Sequence, residues 1–300
     1  MTNLSQQVIL ITGASTGIGA ALAQLLAQRF SGIRLVLASR SQELLETVAQ
    51  TCRQTGAEVL IVVCDFEKIE QVEELAQKAI AHFGGVNALV NNVGYGQMGA
   101  LELIPHSAAQ RQMQVNLLSP LALTRALIPT MRDAGGGKII NVSSLGGRIA
   151  FPFGGLYSAS KFALEALSDV LRMELEPFNI QVSVIEPGPV STNFFAAVDQ
   201  AVEQTITNPE NTPYRCAFAK LKDLQQQTSS RAWSSKQVAQ VILQALIATR
   251  PRPRYVAATG GKILIFLMTK LLPTKLVDRF WQRFYGIDLV AKDWQKHKQG

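Results

Sequence analysis

Short apolar runs alternate with amphipathic stretches along most of the chain. VILIT at 8–12, IRLVLA at 33–38, AEVLIVVC at 57–64, VNALV at 86–90, residues 138–143 and IQVSVIE at 180–186 read as buried strands. Between the first two, residues 17–30 carry Ile18, Leu22, Leu25 and Leu26 at helical spacing. Further helices are predicted at 41–54, 68–82, about 106–131 and from Tyr157 to about 176, where Pro177 helps to end the last. Six strands alternating with helices predict an α/β fold, a doubly wound parallel sheet with helices on both faces and its ligand at the C-terminal ends of the strands.

Beyond 192 the pattern changes. Residues 193–232 hold no obvious strand, a length expected of a lid or of short helices. A helix at 235–249 and an edge strand near Tyr255 follow. Residues 261–272 (GKILIFLMTKLL) are apolar all around a helical wheel but too short to span a bilayer. The pattern predicts one catalytic domain over 1–258, including the lid region, and a basic, partly apolar extension over 259–300.

The candidate chemistry gathers at strand ends. TGASTGIG at 12–19 places Gly13, Gly17 and Gly19 between a strand and a helix, an arrangement that brings a helix N-terminus up to a phosphate. A merely structural tight turn is the alternative. Ser15, Thr16 and Ile18 complete this candidate cofactor loop. The second strand ends in Ser39 and Arg40, where an NAD site usually has an acid; Arg40 is suited to a 2′-phosphate, or simply opens the next helix in solvent. Asp65 suits either an adenine amino group or the cap of the following helix. Asn91, Asn92 and Gly94 suit a close approach to a ribose, although the two amides could instead fasten strands. Pro187 and Gly188 turn the chain so that Val190 offers backbone to a carboxamide and Thr192 a hydroxyl.

Tyr157 and Lys161, four apart, share a helix face. An ammonium close to a phenol lowers the phenol pKa from its ordinary value of about 10, which predicts proton transfer near neutral pH. Ser144, across a glycine-rich loop, is placed to hold a substrate oxygen, and Asn116 either completes a proton path near Lys161 or is a surface amide. Tyr95, Phe151, Phe153, Phe194 and Phe195 are candidates to meet substrate, each equally suited to core packing.

Charge refines the picture. The net +7 is uneven: residues 250–300 hold eleven Lys and Arg against three Asp, and the first 249 residues hold 18 basic and 19 acidic groups. A basic surplus confined to the tail, with no recognition module, predicts no nucleic-acid partner. Three cysteines without a CxxC pair predict a reducing, cytoplasmic setting. MTNLSQQ lacks the basic opening of a signal peptide. Three scattered histidines predict no metal site.

Taken in order and spacing, TGASTGIG, NNVG at 91–94, Asn116, Ser144, YSASK at 157–161 and PGPVST at 187–192 resemble the classical short-chain dehydrogenase/reductase family across roughly residues 5–258. Val93 departs from the family's usual alanine. The resemblance implies a Rossmann-type sheet and catalytic roles for Asn116, Ser144, Tyr157 and Lys161, the last two also contacting cofactor. SSLGGRIAFPFGGLYSASKF with EPGPVSTNF is similar to the hydroxysteroid and retinol dehydrogenase branch, implying NADP(H) in preference to NAD(H) and a lipophilic carbonyl or alcohol substrate. It leaves homodimer or homotetramer assembly open. A non-catalytic nucleotide-binding scaffold and a sugar-nucleotide epimerase or dehydratase are the other readings of such a sheet. The extension is expected either to dock over the pocket or a partner subunit, or to lie on a membrane surface with its cations toward anionic lipid; both can hold together.

Overall fold

The computed structural model of the chain describes residues 3–192, 194–229 and 232–297. The elements run β1 (Val8–Thr12), α1 (Gly17–Arg29), β2 (Arg34–Ser39), α2 (Gln42–Arg53), β3 (Glu58–Val63), α3 (Ile69–Phe83), β4 (Ala88–Asn91), α4 (His106–Met113), α5 (Ser119–Asp133), β5 (Gly137–Val142), α6 (Gly155–Leu175) and β6 (Ile180–Pro187). There follow β7 (Val190–Ser191), α7 (Phe194–Thr205), α8 (Arg215–Ser229), β8 (Trp233–Ser234), α9 (Ser235–Ile247), β9 (Arg254–Ala257), α10 (Gly261–Phe266), α11 (Thr274–Tyr285) and α12 (Ile287–His297).

Seven strands form a parallel sheet in the order β3-β2-β1-β4-β5-β6-β9. The two-residue period of a strand sends alternate side chains to opposite faces. Ile9 and Ile11 therefore enter one core, with Leu22 and Leu26 of α1, Leu45 of α2 and Ile242 of α9. Val8 and Leu10 enter the other, with Val72 and Leu75 of α3 and Leu123 and Leu127 of α5. Burial on both faces explains why these strands are continuous apolar runs. The order reverses between β1 and β4, so a crevice opens beyond Thr12 and Asn91 at the strands' C-terminal ends.

The long helical region is broken where the sequence suggested one helix. A π-helical turn, Gln114–Leu118, separates α4 from α5. Pro120 has no N–H, so the α-helical bond it would donate to the Asn116 carbonyl cannot form, and the turn widens there. The lid region folds as α7 and α8, tied at its base by a two-residue parallel pairing of Val190 with Trp233 and Ser191 with Ser234. A third small cluster joins lid to tail: Phe153 and Ala217, with Tyr214, Phe218, Leu221, Tyr285 and Val290 against them.

Candidate active site

The glycine loop is fixed by one hydroxyl and one amide. Thr12 Oγ1 accepts the N–H groups of Asn92 (2.9 Å) and Val93 (3.0 Å). Asn92 Nδ2 donates to the carbonyls of Thr12 (2.9 Å) and Gly13 (3.2 Å). Gly13 sits at φ +65, and a Cβ on Gly19 would lie 2.3 Å from the Gly13 carbonyl oxygen, so loop and helix close only without side chains. Thr16 precedes α1 in extended conformation and does not cap it with its side chain, which leaves the first-turn N–H groups of α1 uncapped by that hydroxyl. The Asn92 side chain thus fastens the loop, while Asn91 ties β4 to β5 by donating to Asn141 Oδ1 (2.8 Å) and to Thr124 Oγ1 (3.1 Å).

At the end of β2, Ser39 Oγ turns back to accept the Ser41 N–H at 3.3 Å. Arg40 is 67% exposed, 3.7 Å from Glu67, and the same Glu67 oxygen accepts Arg111 Nε at 2.7 Å. Two guanidiniums therefore flank one carboxylate. Asp65 accepts the Glu67 N–H at 3.1 Å and so serves the turn into α3, leaving its second oxygen outside that bond.

Tyr157, Lys161 and Glu165 lie at successive four-residue steps on the buried face of α6. Ser144 opens a 3-10 turn and accepts the Gly146 N–H at 3.0 Å; a Cβ on Gly146 would lie 3.4 Å from Ser144 Oγ and 3.2 Å from the Tyr157 ring, so hydroxyl and phenol ring converge there. Lys161 Nζ donates to the Val142 carbonyl at 2.8 Å, at the end of β5. Asn116 is buried in the π turn, its Oδ1 accepting the Tyr95 N–H (3.1 Å) and its Nδ2 donating to the Tyr95 carbonyl (2.9 Å) and Ser160 Oγ (3.1 Å). A Cβ on Gly94 would lie 3.3 Å from Asn116 Oδ1 and 3.4 Å from Lys161 Nζ, so the amide and the ammonium converge on that glycine.

The electrostatics differ from the sequence expectation. Burial pushes the Tyr157 phenol above its ordinary range, opposed by the nearby Ser144 hydroxyl. Burial lowers Lys161 to about 8, opposed by the Glu165 carboxylate. The expected lowering of the phenol by the ammonium does not emerge, because desolvation dominates both groups.

Ser144, Tyr157 and Lys161 border one cleft of about 1120 Å³, reaching from Ile18, Asn92 and Gly94 to Pro187, Gly188, Val190 and Thr192; Ser39, Arg40, Asp65 and Asn116 do not line it. Thr192 Oγ1 accepts the Phe194 N–H at 3.1 Å and so also starts the lid helix. Among the aromatic candidates, Phe194 meets the Tyr157 ring edge-on at 5.6 Å and Phe151 stacks on Tyr285 at 5.6 Å. Phe153, at φ +64, packs against Tyr214 and Phe218. Tyr95 is a correction: its ring packs into the core beside α3 and α5, with the Arg111 guanidinium 5.4 Å above it, and only its main chain serves the site. Burial pushes its phenol up to about 12. The Phe195 side chain lies outside the described residues.

Comparison with known proteins settles the family. The family model described as short chain dehydrogenase matches residues 7–203. The chain belongs to the short-chain dehydrogenase/reductase family. Its relatives include a 3-ketodihydrosphingosine reductase of Bacteroides thetaiotaomicron, 30% identical over 95% of this chain and 100% of that one. Another is 17-beta-hydroxysteroid dehydrogenase type 1 of Homo sapiens, 32% identical over 84% and 77%. Among solved structures, a short chain dehydrogenase/reductase from Burkholderia phymatum in complex with NAD superposes with a TM-score of 0.79 at 28% identity, over 89% of this chain and 94% of that one. A metagenomic short-chain oxidoreductase in complex with NADP gives 0.67 at 29% identity, over 85% and 98%.

This short-chain dehydrogenase/reductase also holds features that the motifs did not point to. Behind Lys161, Glu165 accepts Arg254 Nε at 3.0 Å, and Asp169 Oδ2 accepts Arg254 Nη2 at 2.6 Å. Buried Glu186 accepts Arg148 at 2.8 Å. Glu165 and Asp169 continue the Tyr157–Lys161 stripe in the sequence, so that half was detectable from spacing; Arg254 lies on the edge strand expected near Tyr255, but no local pattern indicates its meeting with α6. The far wall of the cleft, including Leu264, Trp281 and Phe284, comes from the tail.

Proposed function

We propose that the protein is an NADP(H)-dependent oxidoreductase that interconverts lipophilic ketones or aldehydes with their alcohols, with Tyr157 as general acid and base. The observation that carries this reading is the convergence of Ser144 Oγ and the Tyr157 ring beside Gly146, at a cleft whose opposite wall is aromatic and aliphatic. A polar pair fixes one substrate oxygen, and the apolar wall holds the remainder.

The residues present fit a dinucleotide. The loop at Gly13 and Gly19 has no room for a Cβ, the start of α1 has no side-chain cap from Thr16, and Gly94 keeps backbone open beside Lys161. Gly13, Ser15, Thr16, Gly17, Ile18 and Gly19 would hold the phosphates, and Pro187, Gly188, Val190 and Thr192 the carboxamide end. Arg40 supports the NADP(H) preference, since with Arg111 it leaves a positive excess around Glu67. When bound, the dinucleotide supplies the hydride in reduction or accepts it in oxidation.

The chain's own groups handle the proton. Tyr157 Oη gives it to the substrate oxygen, and Ser144 Oγ donates a hydrogen bond to the charge developing there. Lys161, near 8, is poised to return a proton to the phenol at neutral pH. Asn116 has its amide committed to Tyr95 and Ser160; its contribution to a proton path falls to its main-chain carbonyl, which Pro120 cannot engage.

Tyr157→Phe tests the assignment. NADPH oxidation with a good carbonyl substrate falls at least about 100-fold, and the NADPH dissociation constant changes little. Near-parental turnover would remove Tyr157 from the role.

A further inference from the structure

The outer surface of the tail carries its apolar residues into solvent. In the helix-turn-helix formed by α10 and α11, Ile263 is 66%, Phe266 57% and Leu271 60% exposed, and Leu276 and Phe280 are exposed beyond the turn. The same segment contains Lys262, Lys270, Lys275, Arg279 and Arg283 against the single Asp278, five cations less one anion giving +4. Among the described residues none of the five is ion-paired with a carboxylate. Helical spacing sets Arg279 and Arg283 on the stripe beside Leu276 and Phe280. The inner side of these helices supplies Leu264, Trp281, Phe284 and Tyr285 to the cleft.

We propose that this face is a docking surface for an anionic lipid bilayer, with the ridge of Ile263, Phe266, Leu271, Leu276 and Phe280 entering the headgroup region. Three features select this occupant. Exposed large apolar side chains in a row are costly in water and gain on entering the interface. The unpaired cations beside them match an anionic surface. A second copy of this chain would bring another +4 onto the same place, which opposes self-association there. No helix among the described residues is long and apolar enough to cross a membrane, so the contact is peripheral. The face is the outside of a cleft wall, which places the bilayer next to the cleft; this consequence for substrate delivery rests on the lipophilic-substrate reading, and the docking itself does not.

The test is sedimentation of the full chain, without cofactor or substrate, with vesicles of phosphatidylcholine alone or mixed with phosphatidylglycerol, at low and high salt. Point variants are needed because deleting the tail would strip the cleft wall. The parent cosediments with mixed vesicles at low salt and is released at high salt. Lys270→Gln/Lys275→Gln/Arg279→Gln lowers the partition constant by about 100-fold. Ile263→Ser/Phe266→Ser lowers it by at least about 10-fold, with circular-dichroism melting of both variants unchanged. Recovery of the parent in the supernatant at every composition and salt would overturn the proposal. So would equal, salt-independent binding to neutral vesicles. A monomer–dimer equilibrium in vesicle-free solution that Ile263→Ser/Phe266→Ser abolishes, with no vesicle binding by the parent, would assign the face to a second copy instead.

Discussion

At and behind one side of the cleft, Thr12, Asn92, Asn116 and Lys161 each make a hydrogen bond to main chain of 2.9 Å or shorter. On the other, Phe151, Trp281 and Tyr285 meet through ring contacts between 5.6 and 6.4 Å, and Phe194 meets the Tyr157 ring at 5.6 Å. Hydrogen bonds are directional, and a buried polar group left unmet costs about 1–3 kcal/mol, so the first side tolerates few residue types at each position. Ring and aliphatic packing is adaptable, so the second side can change its residues while keeping its volume. On the proposed function, the polar side is where the chemistry is fixed, and the apolar side is where a substrate is selected.

The most damaging way to disturb this division is to push a side chain into the glycine loop. Gly19→Ala puts a methyl group against the Gly13 carbonyl, and overpacking of that kind costs about 1–3 kcal/mol. NADPH affinity, measured by fluorescence titration, is expected to fall about 10- to 100-fold. An unchanged dissociation constant would mean that loop and helix need not close on a phosphate.

Arg40→Ala sharpens the comparison within the polar side. Losing charge-assisted hydrogen bonds to a 2′-phosphate should raise the NADPH dissociation constant about 10-fold more than that for NADH. Equal weakening of both would assign Arg40 to the Glu67 cluster alone.

Glu165→Gln has the smallest expected effect. The carboxylate favours the Lys161 ammonium, so removing it should move the Lys161 titration, followed by NMR at Cε, below about 8 and leave Tyr157 in place. Lys161 then holds a smaller fraction of its protons at neutral pH, and the pH profile of NADPH oxidation shifts to lower pH. Because Glu165 acts through Lys161, a purely structural role would lower stability without moving that profile. A Lys161 titration that rises or stays put contradicts the assignment.

The contrast also explains how much of the site was legible in the sequence. Strand-end motifs survive as short, spaced strings because Gly13, Gly19, Asn92, Tyr157 and Lys161 each meet neighbours through bonds or close approaches of fixed geometry. The parallel sheet followed from apolar runs whose alternate residues fill two cores. Tyr95 could not be placed in advance, since one aromatic after a strand end can turn to either side, and here it turns to the core under Arg111. The π turn at Asn116 was announced by Pro120 three residues after Leu117 in NLLSP, a cue that helical periodicity alone passes over. The proton affinity of the Tyr157–Lys161 pair escaped spacing arguments because burial outweighs proximity. The far wall assembles from elements more than 100 residues apart in sequence, as Phe151 on Tyr285 illustrates, and no local pattern encodes such a meeting.

The division between a chemical side and a selecting side is tested most directly by initial rates of NADPH oxidation across a series of carbonyl compounds of increasing apolar length, in the parent and in Trp281→Ala. Each added methylene buried in the cleft contributes about 0.8 kcal/mol, so kcat/KM of the parent should climb at least about threefold per methylene until the cleft is filled. In Trp281→Ala the climb should flatten while kcat for the shortest member stays within about twofold of the parent. A series that is flat in the parent, or a Trp281→Ala variant that loses the shortest and longest members equally, would contradict the account.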